Sequence, residues 1–402
     1  MVITIKKQSV SWAEVAASFL ISYNALSNGI SWLLSGIIGS TINLITAFQI
    51  VMILLLVITI IKFIRNIPID FFWVFFFFIF AYLISMLSNT NNYYEIIRQN
   101  LLYKTFIASM PIYLMIRLTT NLSSVWDYLK YFSYIILITY AIDFFLIDTY
   151  ELYRTYSAGL IISSAFFLIE WISSDNKTLS YLSIISILFL VLGGRRSTLV
   201  SIFLLFVLAC LLFRKTKYII IGIVVFILLF LFLEPLLNFL YNFSLSHGIN
   251  SRFLRRILIG SLGNDNHRFE QWAYVFELLF TDIKRTLFGL GIAGERHYML
   301  DHFPHMQLQG YPHNVVVEIF GHFGIVIGFI LNLFLIVIMP IRSIKITRNK
   351  LDYTEAKMLL FSITLFSVLL LQGSYIQSEY FFLYLGFMIS IILSNKNELN
   401  RV

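Results

Sequence analysis

Three groups of polar residues in this chain have the types and spacing to do chemistry. Gly193-Gly194-Arg195-Arg196-Ser197 sets two guanidiniums and glycine backbone N–H groups in one tight turn. A planar guanidinium can bond two oxygens of a phosphate at once, so the turn reads either as an anion site or as a headgroup anchor. All seven histidines lie between His247 and His322, five of them from His297 onward. His313 stands in Pro312-His313-Asn314 at the mouth of an apolar helix, where Pro312 fixes the entry and Asn314 or His313 is placed to cap. An imidazole of ordinary pKa, about 6.5, can take a proton from a hydroxyl near neutrality.

A second set follows on the same helix. Glu318 and His322 are spaced i,i+4 and share a face within a membrane span. An ionisable group at mid-bilayer costs about 2.5–3.5 kcal/mol, so the two are expected to face each other or a substrate cavity. Upstream, RFEQWAYVFELLF from Arg268 puts Phe269, Trp272, Phe276, Leu279 and Phe280 at helical spacing and leaves Arg268, Glu270, Gln271 and Glu277 for water or the site. Gln372, Gly373, Ser374, Tyr375, Gln377 and Glu379 surround the turn between the last two apolar runs, where they either line a sugar site or satisfy one another. Gly289-Leu290-Gly291-Ile292-Ala293-Gly294 matches the dinucleotide fingerprint formally, but it follows an amphipathic helix and not the strand that gives the fingerprint its meaning. His297, Asp301, His302, His305 and His313 could be assembled on paper into a zinc site; HFPH is not an i,i+4 helical pair and no HExxH occurs.

What positions these residues is a membrane body. Hydrophobic residues make up 59% and charged residues 12% of the chain, with a mean hydropathy of +0.84, against about 25% charged residues in soluble domains. The fold class is therefore all-α and polytopic, one integral membrane domain over 1–402 in contact with the lipid bilayer. Apolar runs of roughly 20 residues fall near 12 to 34, 42 to 62, 70 to 88, 101 to 119, 127 to 148, 156 to 172, 178 to 193, 197 to 213, 218 to 240, 313 to 340, 355 to 372 and 375 to 394, which is about twelve transmembrane helices. The first is interrupted by Asn24, Asn28, Gly29 and Gly36 and reads as one tilted helix or a broken pair.

Lys and Arg in the short loops set the orientation. Lys6, Lys7, Lys62, Arg65, Arg117, Lys177, Arg214, Lys215, Lys217, Arg342, Lys345, Arg348, Lys350, Lys396 and Arg401 collect on one side, with Arg98, Arg154, Arg195 and Arg196 in the short loops opposite, so both termini are expected in the cytoplasm. The large loop of about 241–312, between the ninth and tenth helices, is then extracytoplasmic and carries amphipathic helices, one over Ser251 to Gly263 and one from Arg268. The arginine pair at 195 and 196 is the one violation of the rule. Topology explains most of the net charge of +8, so it implies no nucleic acid partner. The single Cys210 excludes an intrachain disulfide.

GGRRS in a short outer loop, Arg268 opening an amphipathic segment, FGLG, and PHN ahead of GHFGIVIG together resemble the bacterial O-antigen polymerase and ligase superfamily. The resemblance covers about 130 residues, from Gly193 to Gly328. It implies a glycosyltransferase in the bacterial plasma membrane, acting at its outer face on glycans carried by undecaprenyl diphosphate, with no cofactor and no metal. Arg195 or Arg196, with Arg268, would hold the lipid diphosphate, and His313 would be the base toward the acceptor hydroxyl. Asn314, Glu318, His322, His305, Tyr311, Glu270, Gln372 and Tyr375 are further candidates to line the substrate. Donor and acceptor are both lipid-linked oligosaccharides, and a chain-length regulator and a flippase of the same pathway are the expected protein partners.

The chemistry agrees with that residue set. An ordinary glycoside needs a carboxylic acid to protonate its leaving oxygen, whereas a glycosyl diphosphate leaves readily once charge on the diphosphate is stabilised. Arginines and one imidazole meet both needs. The expectation is a polymerase of repeat units for O-antigen or capsular polysaccharide; a ligase passing glycan to a lipid core or protein uses the same groups. A polytopic transporter or glycan flippase is the reading of another class, against which stand the absence of a repeated half and a polar set gathered on one side of the membrane.

Overall fold

The computed structural model describes residues 12–38, 44–146, 152–193, 196–215, 217–220, 222, 224, 233–247, 268–303, 311–350 and 353–399. Among these the structure is helical, with no strand. Helices α1 (Trp12–Ile38), α2 (Ile45–Phe63), α3 (Ile69–Ser88), α4 (Thr90–Arg98) and α5 (Pro111–Leu118) come first, followed by α6 (Leu122–Leu146), α7 (Leu152–Ser174), α8 (Lys177–Gly193) and α9 (Arg196–Leu212). The segment that carried most of the polar candidates holds α10 (Leu233–Ser246), α11 (Arg268–Phe280), α12 (Ile283–Phe288) and α13 (Gly294–His302). Last come α14 (Val315–Asn332), α15 (Met339–Lys350), α16 (Tyr353–Gln372) and α17 (Glu379–Leu399).

Helix therefore stands at each expected apolar run, although the middle of the ninth, 218 to 240, lies outside the described residues. The expected interfacial helix over Ser251 to Gly263 also lies outside them. The first run is a single helix despite its asparagines and glycines. Among the described residues four helices are long and apolar enough to cross a bilayer alone, over Thr46–Asn66, Ile69–Ser88, Val315–Arg348 and Tyr353–Leu371. A fifth crossing is obtained if Thr90–Arg98 and Tyr103–Leu118, bent by 41°, make one broken span. Gly159–Ser174, Lys177–Leu190, Ser197–Leu212 and Glu379–Ser394 are shorter apolar helices, α6 carries Asp127, Lys130 and Asp143, and the fourth run is broken by a π-helical stretch, Tyr103–Ser109, ahead of Pro111.

The most apolar window of α16 is 67% buried, whereas those of α2 and α3 are 11% and 17% buried, so α16 is central and the other two present their Ile, Leu and Phe side chains to lipid. Helix ends are tied by buried or half-buried ion pairs. Asp70 at the start of α3 takes Arg117 Nε at 2.8 Å, and Arg117 reaches Ser390 Oγ of α17 at 3.0 Å. Glu170 near the end of α7 accepts from Lys357 of α16 and from the Trp126 indole of α6.

The tenth run departs most from expectation. It is not one straight span: Gly324 sits at φ +77°, in the left-handed region that breaks a helix. The chain folds back there. Asn332 Nδ2 reaches the Val316 carbonyl at 3.2 Å, and a Cβ on Gly328 would lie 3.0 Å from the Phe320 Cα. Residues equally distant from Gly324 along the chain are thus neighbours in space, so Val315–Phe323 and Ile325–Asn332 form a helical hairpin with Gly324 at its tip. The second half continues through a π-helical stretch, Leu333–Ile338, into α15.

The FGLG motif closes that tip. A helix ending leaves its last carbonyls without partners, and here Leu290 N donates to the Gly321 carbonyl at 2.7 Å and Gly291 N to the His322 carbonyl at 3.2 Å. The fit needs glycine on both sides: a Cβ on Gly289 (φ +79°) would meet the His322 carbonyl oxygen at 2.4 Å, and one on Gly324 would meet that of Leu287 at 2.5 Å. Left-handed strain alone costs about 1–3 kcal/mol per residue. Gly324→Ala is expected to lose at least about that much stability, read as a lowered thermal midpoint of the purified protein in detergent; an unchanged midpoint would mean the tip is not closed in this way.

Candidate functional site

Beneath the tip, four elements bring their charged groups into one buried cluster. Glu295 and Arg296 come from α13, Glu318 and His322 from the first half of α14, Ser374 and Tyr375 from the turn between α16 and α17, and Gln99 from the end of α4. Glu295, Arg296 and Glu318 are fully buried, and His322 is nearly so.

His322 takes the centre. Its Nε2 lies 3.1 and 3.0 Å from the two oxygens of Glu295, and its Nδ1 lies 2.6 Å from the Tyr375 hydroxyl. The Ala293 N–H also points at Nε2, at 3.3 Å, so the ring is held between the Tyr375 hydroxyl, the Glu295 carboxylate and a backbone amide. Burial works to raise the Glu295 carboxyl, but the His322 imidazole and then the Arg296 guanidinium outweigh it and hold the acid below its usual value. Glu318 accepts from Ser374 Oγ at 2.6 Å, from Tyr375 N at 3.0 Å and from Arg296 Nη2 at 3.4 Å. Arg296 Nη1 donates to Gln99 Oε1.

The ligand atoms of Glu295, Glu318 and His322 all lie within 4.8 Å of one another, as a metal site requires. Their partners argue otherwise. A guanidinium already stands against both carboxylates, both His322 nitrogens are engaged, and Glu318 accepts from three donors. A cation entering here would have to displace hydrogen bonds and meet Arg296. The cluster is an internal ion-pair network that clamps α13, the α14 hairpin and the α16–α17 turn together.

The other candidates gather at the open end of the hairpin. Asn314 caps α14, its side chain accepting from Val316 N at 2.8 Å and Val317 N at 3.2 Å, so Asn314 and not His313 is the cap. His313, just before it, is half-buried in a left-handed conformation, φ +54°, rare for any residue but glycine and a mark of a constrained position. Its imidazole packs on the Tyr311 ring, centroids 4.2 Å apart, and the Arg296 guanidinium lies 5.2 Å from the same ring. Tyr311 thus joins His313 to the buried network.

Arg268 opens α11 and donates through Nη1 to the Leu371 carbonyl at 2.9 Å, one residue from Gln372 at the end of α16. One turn along, Trp272 Nε1 donates to the Pro312 carbonyl at 2.8 Å, next to His313. A single helix therefore holds both Arg268 and the backbone of the PHN motif. Glu270 is exposed on α11. Arg195, His305 and the side chains of Arg196 and Gln372 lie outside the described residues.

Of the residues set out on paper as zinc ligands, His305 lies outside the described residues and His313 packs on Tyr311. His297 Nε2 is 3.3 Å from Asp301 at an exposed i,i+4 position, and His302 stacks on Tyr274 at 4.1 Å. Glu318, His322 and Tyr375, expected within reach of substrate, have their polar atoms on protein partners instead. Sequence reasoning missed Glu295 and Arg296. Their signal was a pair of opposite charges directly after a glycine-rich turn, where the chain enters α13 through Ala293 at φ +64°.

Residues 181–333 match the family model Wzy_C, described as O-antigen ligase. The matched stretch contains both arginines of the short turn, Arg268, FGLG, the Glu295–Arg296 pair and PHN, and it supports membership in the O-antigen ligase and polymerase superfamily. No curated protein matches the chain.

Removing one partner of a buried ion pair leaves an uncompensated charge, at a cost of about 3–5 kcal/mol. Arg296→Met is expected to lower the thermal midpoint on that scale, and Glu295→Gln with Glu318→Gln in the same chain to restore part of it. Full additivity of the three substitutions would show that the groups do not act as one network. Asn314→Ala removes a cap worth about 1 kcal/mol and should cost correspondingly less in the same assay.

Proposed function

We propose that this protein is a membrane glycosyltransferase that joins oligosaccharide repeat units carried on undecaprenyl diphosphate into O-antigen or capsular polysaccharide. One observation carries the reading: α11 holds Arg268 at one end of a turn and the PHN backbone at the other, within the stretch that matches the O-antigen ligase family. Charge for a diphosphate and a base for a hydroxyl thereby share one frame.

In the proposed reaction the acceptor hydroxyl gives its proton to His313 as its oxygen attacks the anomeric carbon of the donor. The bond from that carbon to the diphosphate oxygen breaks, and the lipid diphosphate leaves with the electron pair. Arg268 and Arg195 or Arg196 stabilise the charge that accumulates on it. Attack in line inverts the anomeric centre. The twelve-helix body, cytoplasmic termini and extracytoplasmic site expected from the Lys and Arg distribution belong to this reading, since lipid-linked units assembled inside must be joined outside.

A ligase is the second reading, favoured by the description of the matching family. Purified protein supplied with a lipid-linked repeat unit, alone and with a lipid-core acceptor, separates the two: ladders from the single substrate indicate a polymerase, and transfer only to the core indicates a ligase. Arg268→Ala, Arg196→Ala and His313→Ala are each expected to abolish product while leaving expression and membrane insertion intact. Arg196→Lys should recover little, because an ammonium cannot make two-point contact. Wild-type product from all three alanine variants, or a product retaining the donor's anomeric configuration, would remove the mechanism.

A further inference from the structure

The short helix α12 and the end of α11 present an apolar face that no protein segment covers among the described residues. Phe280, Ile283, Leu287 and Phe288 are 65, 68, 40 and 69% exposed. The polar groups around them turn inward: Thr286 Oγ1 donates to the Leu279 carbonyl at 2.8 Å, and the Arg285 guanidinium is drawn to Tyr298, 3.2 Å from its hydroxyl and 5.4 Å from its ring centre. The remaining charges are Asp282, which caps the helix by accepting from Lys284 N at 3.0 Å, and Lys284, on a stem long enough to reach headgroups while its methylenes stay in apolar surroundings.

This face does not stand alone. The Leu287 backbone is pressed against Gly324 at the hairpin tip, and from there the second half of α14 carries Val326, Ile327, Phe329 and Ile330 outward, 52, 42, 57 and 59% exposed. On the other side of the tip, the Phe323 ring lies 5.7 Å from Phe77 of α3, a helix whose outward row continues to Leu87, 86% exposed. Helix α3 is long and apolar enough to span a bilayer, and the chain beyond the tip runs on towards α15 within the apolar stretch Val315–Arg348, so the outward residues of both need lipid around them. A patch continuous with two such surfaces shares their solvent.

We propose that Phe280, Ile283, Leu287 and Phe288 lie in the hydrocarbon edge of the bilayer, making α12 a membrane-embedded lip over the tip of the α14 hairpin. Exposed apolar side chains on one face, inward-turned polar groups and a flanking lysine are what an interfacial helix needs. The lip also sets the depth of the site. Val316 lies eight residues from Gly324, about 12 Å at 1.5 Å per residue, with the PHN motif just beyond it, so on the reading proposed above a lipid-anchored donor meets His313 without leaving the membrane.

The test reads depth and needs no activity, so it stands or falls apart from the proposed reaction. Ile283→Cys, Phe288→Cys and Phe280→Cys are made singly on a Cys210→Ser background, spin-labelled and placed in nanodiscs of phosphatidylethanolamine and phosphatidylglycerol. Collision with oxygen is compared with collision with a water-soluble nickel chelate. Leu87→Cys serves as the lipid-facing reference and Glu277→Cys as the polar-face reference. Labels at the three positions are expected to favour oxygen several-fold, as at Leu87. A preference for the nickel chelate would overturn the proposal, and so would shielding from both reagents, the result if a second copy of the chain covered the face.

Discussion

The structure turns on two hydrogen bonds from the Leu290 and Gly291 amides to the carbonyls at the end of the first half of α14. A helix that stops inside a low-dielectric region cannot leave its last carbonyls bare. Water is the ordinary partner at a helix end; here a glycine-rich loop substitutes for it. Because the loop must approach backbone to backbone, Gly289 and Gly324 are both required, and both adopt positive φ. The hairpin, the position of α12 and the entry into α13 all follow from that contact.

Once the tip is closed, the charged residues below it have little freedom. Glu295, Arg296, Glu318 and His322 are each costly to bury singly, and they are tolerable only as a set in which every carboxylate faces a cation or several donors. Such a set contributes less to net stability than to uniqueness of arrangement: it fixes which face of α13 meets which face of α14. Tyr311 carries that rigidity outward, lying between the Arg296 guanidinium and the His313 imidazole. The left-handed backbone of His313 can persist because its surroundings over-determine it.

Hydropathy located the helices well because burial in lipid and helical period both write plainly into composition. The cap at Asn314 was legible for the same reason, a short polar side chain ahead of an apolar run. The fold-back at Gly324 was not. GHFGIVIG reads equally well as a smooth packing face, and only the distant FGLG, more than thirty residues upstream, distinguishes a break from a contact. Glu318 and His322 were readable as a functional or structural pair, but their partners lie on α13 and beyond α16, separations that periodicity cannot report. Arg296 was passed over because an arginine beside a glutamate looks like an ordinary solvated pair until its burial is known.

The interlock between FGLG and the hairpin bears on how the chain is made. Residues 288–291 are synthesised about thirty residues ahead of Gly321 and His322, so their amides cannot find their acceptors until the following apolar segment has been made. The loop and the hairpin tip therefore close on each other only once both have been made, and a chain that stops short of His322 lacks one side of the contact.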